Sequence, residues 1–501
     1  MYFRCCDAAA PKPSPKGRAK GAAVPVLFKV DNLNAICPKR AVVDLLGSLW
    51  YYWNIETERV IPILKITFPG DKRRKINKKE FKEALLRGRG CCLQAARSDP
   101  ERYRDIVLWA CRHEVAFDPQ CEGSKAWFVY QLIGCYENRQ PFLEILLAEM
   151  GRFRPDGGWK MLYLAELLSY FAGDGEKRAE AALWRKYEAL YAHLMARKRQ
   201  PRGFFREKND FAMLCQVLAE NAKAMTRIAE DIGRLYREHT LYDGWDFDWL
   251  FSKAKRWMGT LKKQAVKSEN IAAYIRAGEE EEARIEEMRR CRPEKKTGRL
   301  LSVWLQRSGD AETISAHAKA YREEKDPEAR AKALEAFVRC PYPDDPQLII
   351  ADTKSNCEKL SRTAWHVLEQ LRHPAVRTFA REQLKTDPEN AWPVFLANYE
   401  SGDEELLIRM MKAEPVDFAC ATAWHSYQLD ILNMEDHGLK APAALLHYIY
   451  ETTYCACCRE YAVEQMGRRH LLTEEILEEC LLDSNDDTRA YAARCLKRRK
   501  R

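Results

Sequence analysis

Residues 486–496 read Asp-Asp-Thr-Arg-Ala-Tyr-Ala-Ala-Arg-Cys-Leu. Within them Arg489 is followed by Ala492 and Leu496, at offsets of three and seven. Those offsets place the three side chains on one face of an α-helix. The same triplet recurs as Arg330/Ala333/Phe337, Arg377/Ala380/Leu384 and Arg459/Ala462/Met466. Turn signals stand just before three of these arginines: Asp326-Pro327, His373-Pro374 and Asp486-Asp487. A small Ala lets a neighbouring helix approach closely, and the large residue one turn on fills the space between units. One helix type repeated in this way predicts a stacked helical array.

The arginines are spaced by 47, 82 and 30 residues. The middle gap is close to two units of about 41 residues, with a central copy near Phe418 and Ala421 that lacks the Arg. Helix pairs repeating every ~40–47 residues are the period of HEAT and armadillo arrays. Residues 326–496 resemble a divergent HEAT-repeat protein. The segments 486–496 and 373–384, the latter His-Pro-Ala-Val-Arg-Thr-Phe-Ala-Arg-Glu-Gln-Leu, are similar to that family's second helix. Residues 80–260 also resemble bacterial proteins grouped with HEAT repeats. The resemblance implies an all-α fold, a right-handed α-solenoid of paired antiparallel helices, HEAT- or armadillo-like. It also implies an interaction surface more readily than an active site.

Outward from the repeats, Asp-Pro dipeptides punctuate the chain at Asp99, Asp118, Asp326, Asp345 and Asp387. Each offers a capping carboxylate with Pro at the first helical position. Apolar spacing predicts a helix pair over 159–172 and 174–198, turned at Gly173-Asp174-Gly175, and two further helices over 208–238. The chain is therefore divided as follows. Residues 1–25 are a basic tail expected to be disordered, and 26–76 an appendage with a short strand at 26–30 and a helix at 40–53. Residues 77–260 form an N-terminal helical block, 261–298 a charged hinge or long helix, 299–496 the C-terminal repeats, and 497–501 a second basic tail.

Apolar residues make up 46% of the 501, enough for a large core. The net charge of +9 resides in the two tails, which carry four and five of it, so residues 26–496 are neutral. A protein that wraps a duplex normally carries its excess charge on the folded surface. Many of the 18 cysteines fall at helical core spacing, and they read as reduced, buried thiols, consistent with a cytoplasmic chain. Neither a secretory leader nor an apolar run long enough to cross a membrane is apparent.

One stretch carries the ingredients of a nucleic-acid site. Tyr242-Asp243-Gly244-Trp245-Asp246-Phe247-Asp248-Trp249 is followed by Lys253, Lys255, Arg256, Lys262, Lys263 and Lys267. Trp245 and Trp249 would stack on bases, Lys253, Lys255, Arg256 and Lys262 would hold phosphates, and Asp246 or Asp248 would stabilise cationic charge. The alkylpurine DNA glycosylases, a HEAT-like enzyme group, are similar in using aromatics and a carboxylate on a basic concave face. The competing interpretation makes these tryptophans inter-helix core and the aspartates caps, and it is favoured.

Cys455-Ala456-Cys457-Cys458, with His447 and His470 near in sequence, lacks the second Cys pair usual for zinc and reads as buried thiols, with no metal site expected. Cys111 and His113, near Glu114 and Cys121, diverge by ~200° on a helix, which disfavours a nucleophilic dyad. Neither a phosphate-binding P-loop nor a dinucleotide fingerprint occurs, so no cofactor is expected. The sequence thus favours a non-enzymatic scaffold binding a macromolecular partner, in the first place a protein, on a concave helical surface. The alternative is a DNA-binding or DNA-repair protein.

Overall fold

The computed structural model describes residues 76–118, 122, 125–154, 159–197, 204–239, 247–290, 297–414 and 423–499. The strand and helix expected within 26–76, and both basic tails apart from residues 497–499, lie outside them. Among the described residues every regular element is helical. The chain divides into two units. One comprises residues up to Arg290 with Tyr454–Cys457 and Thr473–Arg501; the other comprises Cys291–Thr453 and Cys458–Leu472.

In the first unit, alternate helices pack on one another. Lys125–Ile133, Lys160–Gly173, Phe204–Leu218 and Asp248–Ala254 form one row. Gln140–Arg152, Lys177–Met195, Ala222–Glu238 and Met258–Ala265 form a second. The sequence sets these roles. Lys125–Ile133 is Lys-Ala-Trp-Phe-Val-Tyr-Gln-Leu-Ile, and all nine residues are buried, so it is covered on every side. Lys177–Met195 carries Ala179, Ala182, Leu183, Tyr187, Leu190 and Leu194 at helical spacing and buries only that stripe. The predicted turn at 173–175 is present, with Gly175 at φ +92°. The charged stretch predicted as hinge or long helix forms Glu269–Arg290, which lies along Ala222–Glu238. Their approach is close enough that a Cβ on Gly233 would collide with the Asn270 carbonyl.

The same alternation runs through the second unit. Pro327–Leu334, Glu358–Leu368, Pro388–Ala397 and Ala423–Leu432 pack in succession. Pro388–Ala397 is the apolar member, with Trp392, Val394, Phe395 and Leu396 buried. Helices begin at four of the Asp-Pro sites. The Asp326 carboxylate accepts the Ala329 N–H at 2.8 Å and the Asp345 carboxylate the Gln347 N–H at 3.0 Å. Asp99 and Asp387 have other backbone angles and make no such cap.

The recurring arginines are internal fasteners of two kinds. Arg377 and Arg330 reach forward to a carboxylate of the next helix pair. Arg377 donates from Nη1 and Nη2 to Asp403 at 2.8 and 3.0 Å and from Nη1 to the Asn398 carbonyl at 2.7 Å, over the Phe395 ring. Arg330 pairs with Asp352 at 3.0 Å above the Tyr321 ring, whose hydroxyl donates to the same carboxylate. Arg459 and Arg489 reach back instead. Arg459 is wholly buried with Nη1 3.5 Å from the Thr453 carbonyl. Arg489 donates to the Asp483 and Ser484 carbonyls at 2.6 and 3.0 Å. The alanines at 380, 462 and 492 are fully buried beneath them. Ala333 is only half-buried, and its helix turns Ala331 and Leu334 inward instead.

Candidate functional site

The basic stretch after Trp249 is the first candidate. Trp245 and Asp246 lie outside the described residues, and Asp248 opens the helix Asp248–Ala254. Trp249 is half-buried against the core of the first unit. Lys253 donates to the Gln216 carbonyl at 2.7 Å and pairs with Glu220 at 2.5 Å. Lys255 pairs with Glu282 at 2.5 Å and Lys262 with Glu279 at 3.2 Å. Arg256 lies over the Trp257 ring. The acidic run beginning at Glu279 is therefore the counter-face of the basic run. Helix Glu269–Arg290 presents Glu279 and Glu282, three residues apart, to lysines on the preceding segment. Such exposed pairs contribute at most about 1 kcal/mol each, but they cancel the local positive field.

A second feature lies on Lys160–Gly173. Tyr163 is buried and donates its hydroxyl to the Ala110 carbonyl at 2.9 Å. One turn along, Glu166 is half-buried and makes no side-chain hydrogen bond among the described residues. Desolvation pushes its carboxyl up to about 8; the Lys253 ammonium opposes this and the Glu114 carboxylate adds to it. A carboxyl that titrates near neutrality can hold or release a proton at working pH. Nothing in the sequence marked Glu166, which sits in the apolar run Met-Leu-Tyr-Leu-Ala-Glu-Leu-Leu.

A third is a buried ion pair. Glu122 accepts the Phe117 N–H at 3.0 Å and the Ala456 N–H at 2.8 Å. Its carboxyl is raised by desolvation and drawn back by Lys125, whose Nζ stands 3.5 Å away and donates to the Leu86 carbonyl at 2.7 Å. The pair ties the end of helix Lys78–Arg87 to residues 117–125.

The cysteine clusters divide. Cys111 is fully buried and desolvation raises its thiol to about 12. The His113 ring instead stacks on Trp109, with Nδ1 2.9 Å from the Trp109 carbonyl, so the two residues do not form a dyad. Cys121 lies outside the described residues. Cys455 and Cys458 are both buried, and the imidazole close to Cys458 is that of His425, with Nε2 3.3 Å from the Cys458 Sγ. His425 is 33 residues before Cys458 and on another helix, so no sequence spacing joins them.

No protein-family model matches the chain, and neither does any curated protein or solved structure.

Proposed function

We propose that this protein is a helical-repeat scaffold, an α-solenoid whose exposed helix faces bind a protein partner. The observation that supports this most strongly is the alternate-helix packing seen in each unit. Within each unit alternate helices pack on one another, and the recurring arginines are used up as fasteners between or within pairs. Stacks of this kind expose a long, regular surface and keep no side chain of the repeat for chemistry. The pairing of Lys253, Lys255 and Lys262 with Glu220, Glu282 and Glu279 favours a protein over a nucleic acid, since those lysines offer phosphates little free charge. Trp304, half-exposed on helix Thr297–Ser308, suits the aromatic anchor that protein interfaces use.

The test uses the full chain. Native mass spectrometry of affinity-purified material should give one partner in a fixed ratio, and Trp304→Ala should weaken that complex several-fold. Duplex DNA binding that persists at 200 mM salt after residues 497–501 are removed would overturn the reading. So would partner binding that ignores both Trp304 and every helix face protected in hydrogen exchange.

A further inference from the structure

Helices Lys78–Arg87 and Pro100–Ala110 lie side by side in the first unit. Lys78 donates to the Asp105 carboxylate at 2.8 Å, and the Lys82 ammonium stands 3.9 Å from the centre of the Trp109 ring. The two contacts have the same separation along the chain, so the helices run parallel. Phe81, stacked on Tyr103 at 4.1 Å, closes the seam on its core side. On the outer side Arg102, Asp105 and Trp109 share one stripe, at offsets of three and seven. The His113 ring stacks on Trp109 just beyond the helix end.

This seam carries cations without counter-charges. The carboxylates beside it are engaged: Asp105 by Lys78, Glu83 by Arg87 and Glu101 by Arg104. Lys79, Lys82, Arg102 and Arg112 form no ion pair with any described residue. Lys79, Arg102 and Arg112 are exposed, and Lys82 is half-buried over the indole. Lys253, Lys255 and Lys262, by contrast, each meet a glutamate. Unanswered cations grouped on a folded surface repel one another and draw an anionic partner. Trp and Arg are also the residues on which protein interfaces most often anchor.

We propose, resting on the scaffold reading above, that this seam binds an acidic segment of a protein partner. Its carboxylates meet Lys79, Arg102 and Arg112, and its apolar atoms cover Trp109. A nucleotide strand fits less well, because base-stacking platforms offer a bare ring and Trp109 already holds an imidazole and an ammonium.

The probe is a fluorescein-labelled peptide of about ten residues, glutamate-rich around one leucine, titrated by anisotropy into the full chain. Binding should saturate, and should weaken severalfold between about 50 and about 300 mM salt as screening shortens the reach of the charges. Lys79→Glu, Arg102→Glu and Arg112→Glu combined should weaken it at least tenfold. These side chains are exposed, so the unfolding temperature of that variant should match the wild type. Lys177→Glu with Arg185→Glu, exposed on another helix of the same unit, should leave the affinity unchanged. A peptide that fails to bind overturns the proposal, as does equal binding by the triple variant and the wild type. An oligothymidylate of the same length that binds more tightly than the peptide, and is lost in the triple variant, overturns it in favour of nucleic acid. Failure of the scaffold reading is distinct: native mass spectrometry then finds no stable cellular complex, whatever the peptide titration gives.

Discussion

The guanidinium of Arg489 lies 3.7 Å from the centre of the Trp127 ring, joining residues 362 positions apart in the chain. The same guanidinium holds the Asp483 and Ser484 carbonyls. Arg489 thus fixes both the entry to its own helix and the seating of that helix on Lys125–Ile133. Lysine keeps the charge but not the planar fork or the stacking. Arg489→Lys should cost about 1–3 kcal/mol, the loss of two charge-assisted hydrogen bonds and a stacked cation. Hydrogen exchange should localise the effect to Asp486–Arg499 and to Lys125–Ile133. Unchanged protection in both segments would refute the clamp.

The return of the C-terminus also depends on Gly90. A Cβ there would overlap the Glu479 carbonyl and lie 2.7 Å from the Leu482 Cβ. Beside it, Arg89 grips the Glu479 carboxylate at 2.7 and 3.1 Å, and the Ser484 N–H donates to the Gly88 carbonyl at 2.8 Å. Neither backbone can recede without breaking these bonds. Gly90→Ala should destabilise by about 1–3 kcal/mol despite the higher helix propensity of Ala. A urea midpoint equal to or above that of the wild type would show that the approach is looser than it looks.

Lys125 is 1% exposed and its carboxylate neighbour Glu122 is equally buried. Removing the cation leaves a desolvated carboxylate whose remaining partners are two backbone N–H groups. Lys125→Met should cost roughly 3–5 kcal/mol, whereas Lys125→Met combined with Glu122→Gln should recover part of that loss. Additive losses in the double variant, measured by denaturant unfolding, would mean that the two charges do not sense each other.

The helical character of the chain was legible because apolar residues recur at helical spacing from Phe81 to Leu496. The turn at Gly173-Asp174-Gly175 and the helix beginning at Asp326-Pro327 were legible for local reasons, a positive φ and a capping carboxylate. The Arg–Ala–apolar triplet was visible, but its partners were not. Arg377 finds Asp403 and Arg489 finds Trp127 through tertiary packing, which no local pattern encodes. The pairing of Lys255 with Glu282 and Lys262 with Glu279 is hidden for a related reason. The basic and acidic runs stand apart in the sequence, and a helical turn-back places one against the other. His425 and Glu166 carried no sequence signal, since a lone His or Glu among apolar residues is ordinarily a satisfied core group.

Glu166 makes the chain's stability depend on pH in a defined sense. Its carboxyl is raised from an ordinary 4.5 to about 8 by desolvation first, with Glu114 adding and Lys253 opposing. Below the ordinary value both folded and unfolded chains hold the proton, and the group contributes no difference. Between there and about 8 the unfolded chain ionises while the folded chain stays protonated, so stability falls as pH rises. Above about 8 both are ionised and the decline stops. Glu166→Gln keeps the shape and removes the proton. It should leave the unfolding temperature unchanged at pH 4 and raise it by about 2–6 °C at pH 8, the equivalent of about 1–2 kcal/mol. A wild-type and variant pair with parallel unfolding temperatures from pH 4 to pH 9 would show that Glu166 ionises freely in the folded chain. The half-buried carboxyl beside Lys253 would then be an ordinary surface acid rather than a proton-holding group.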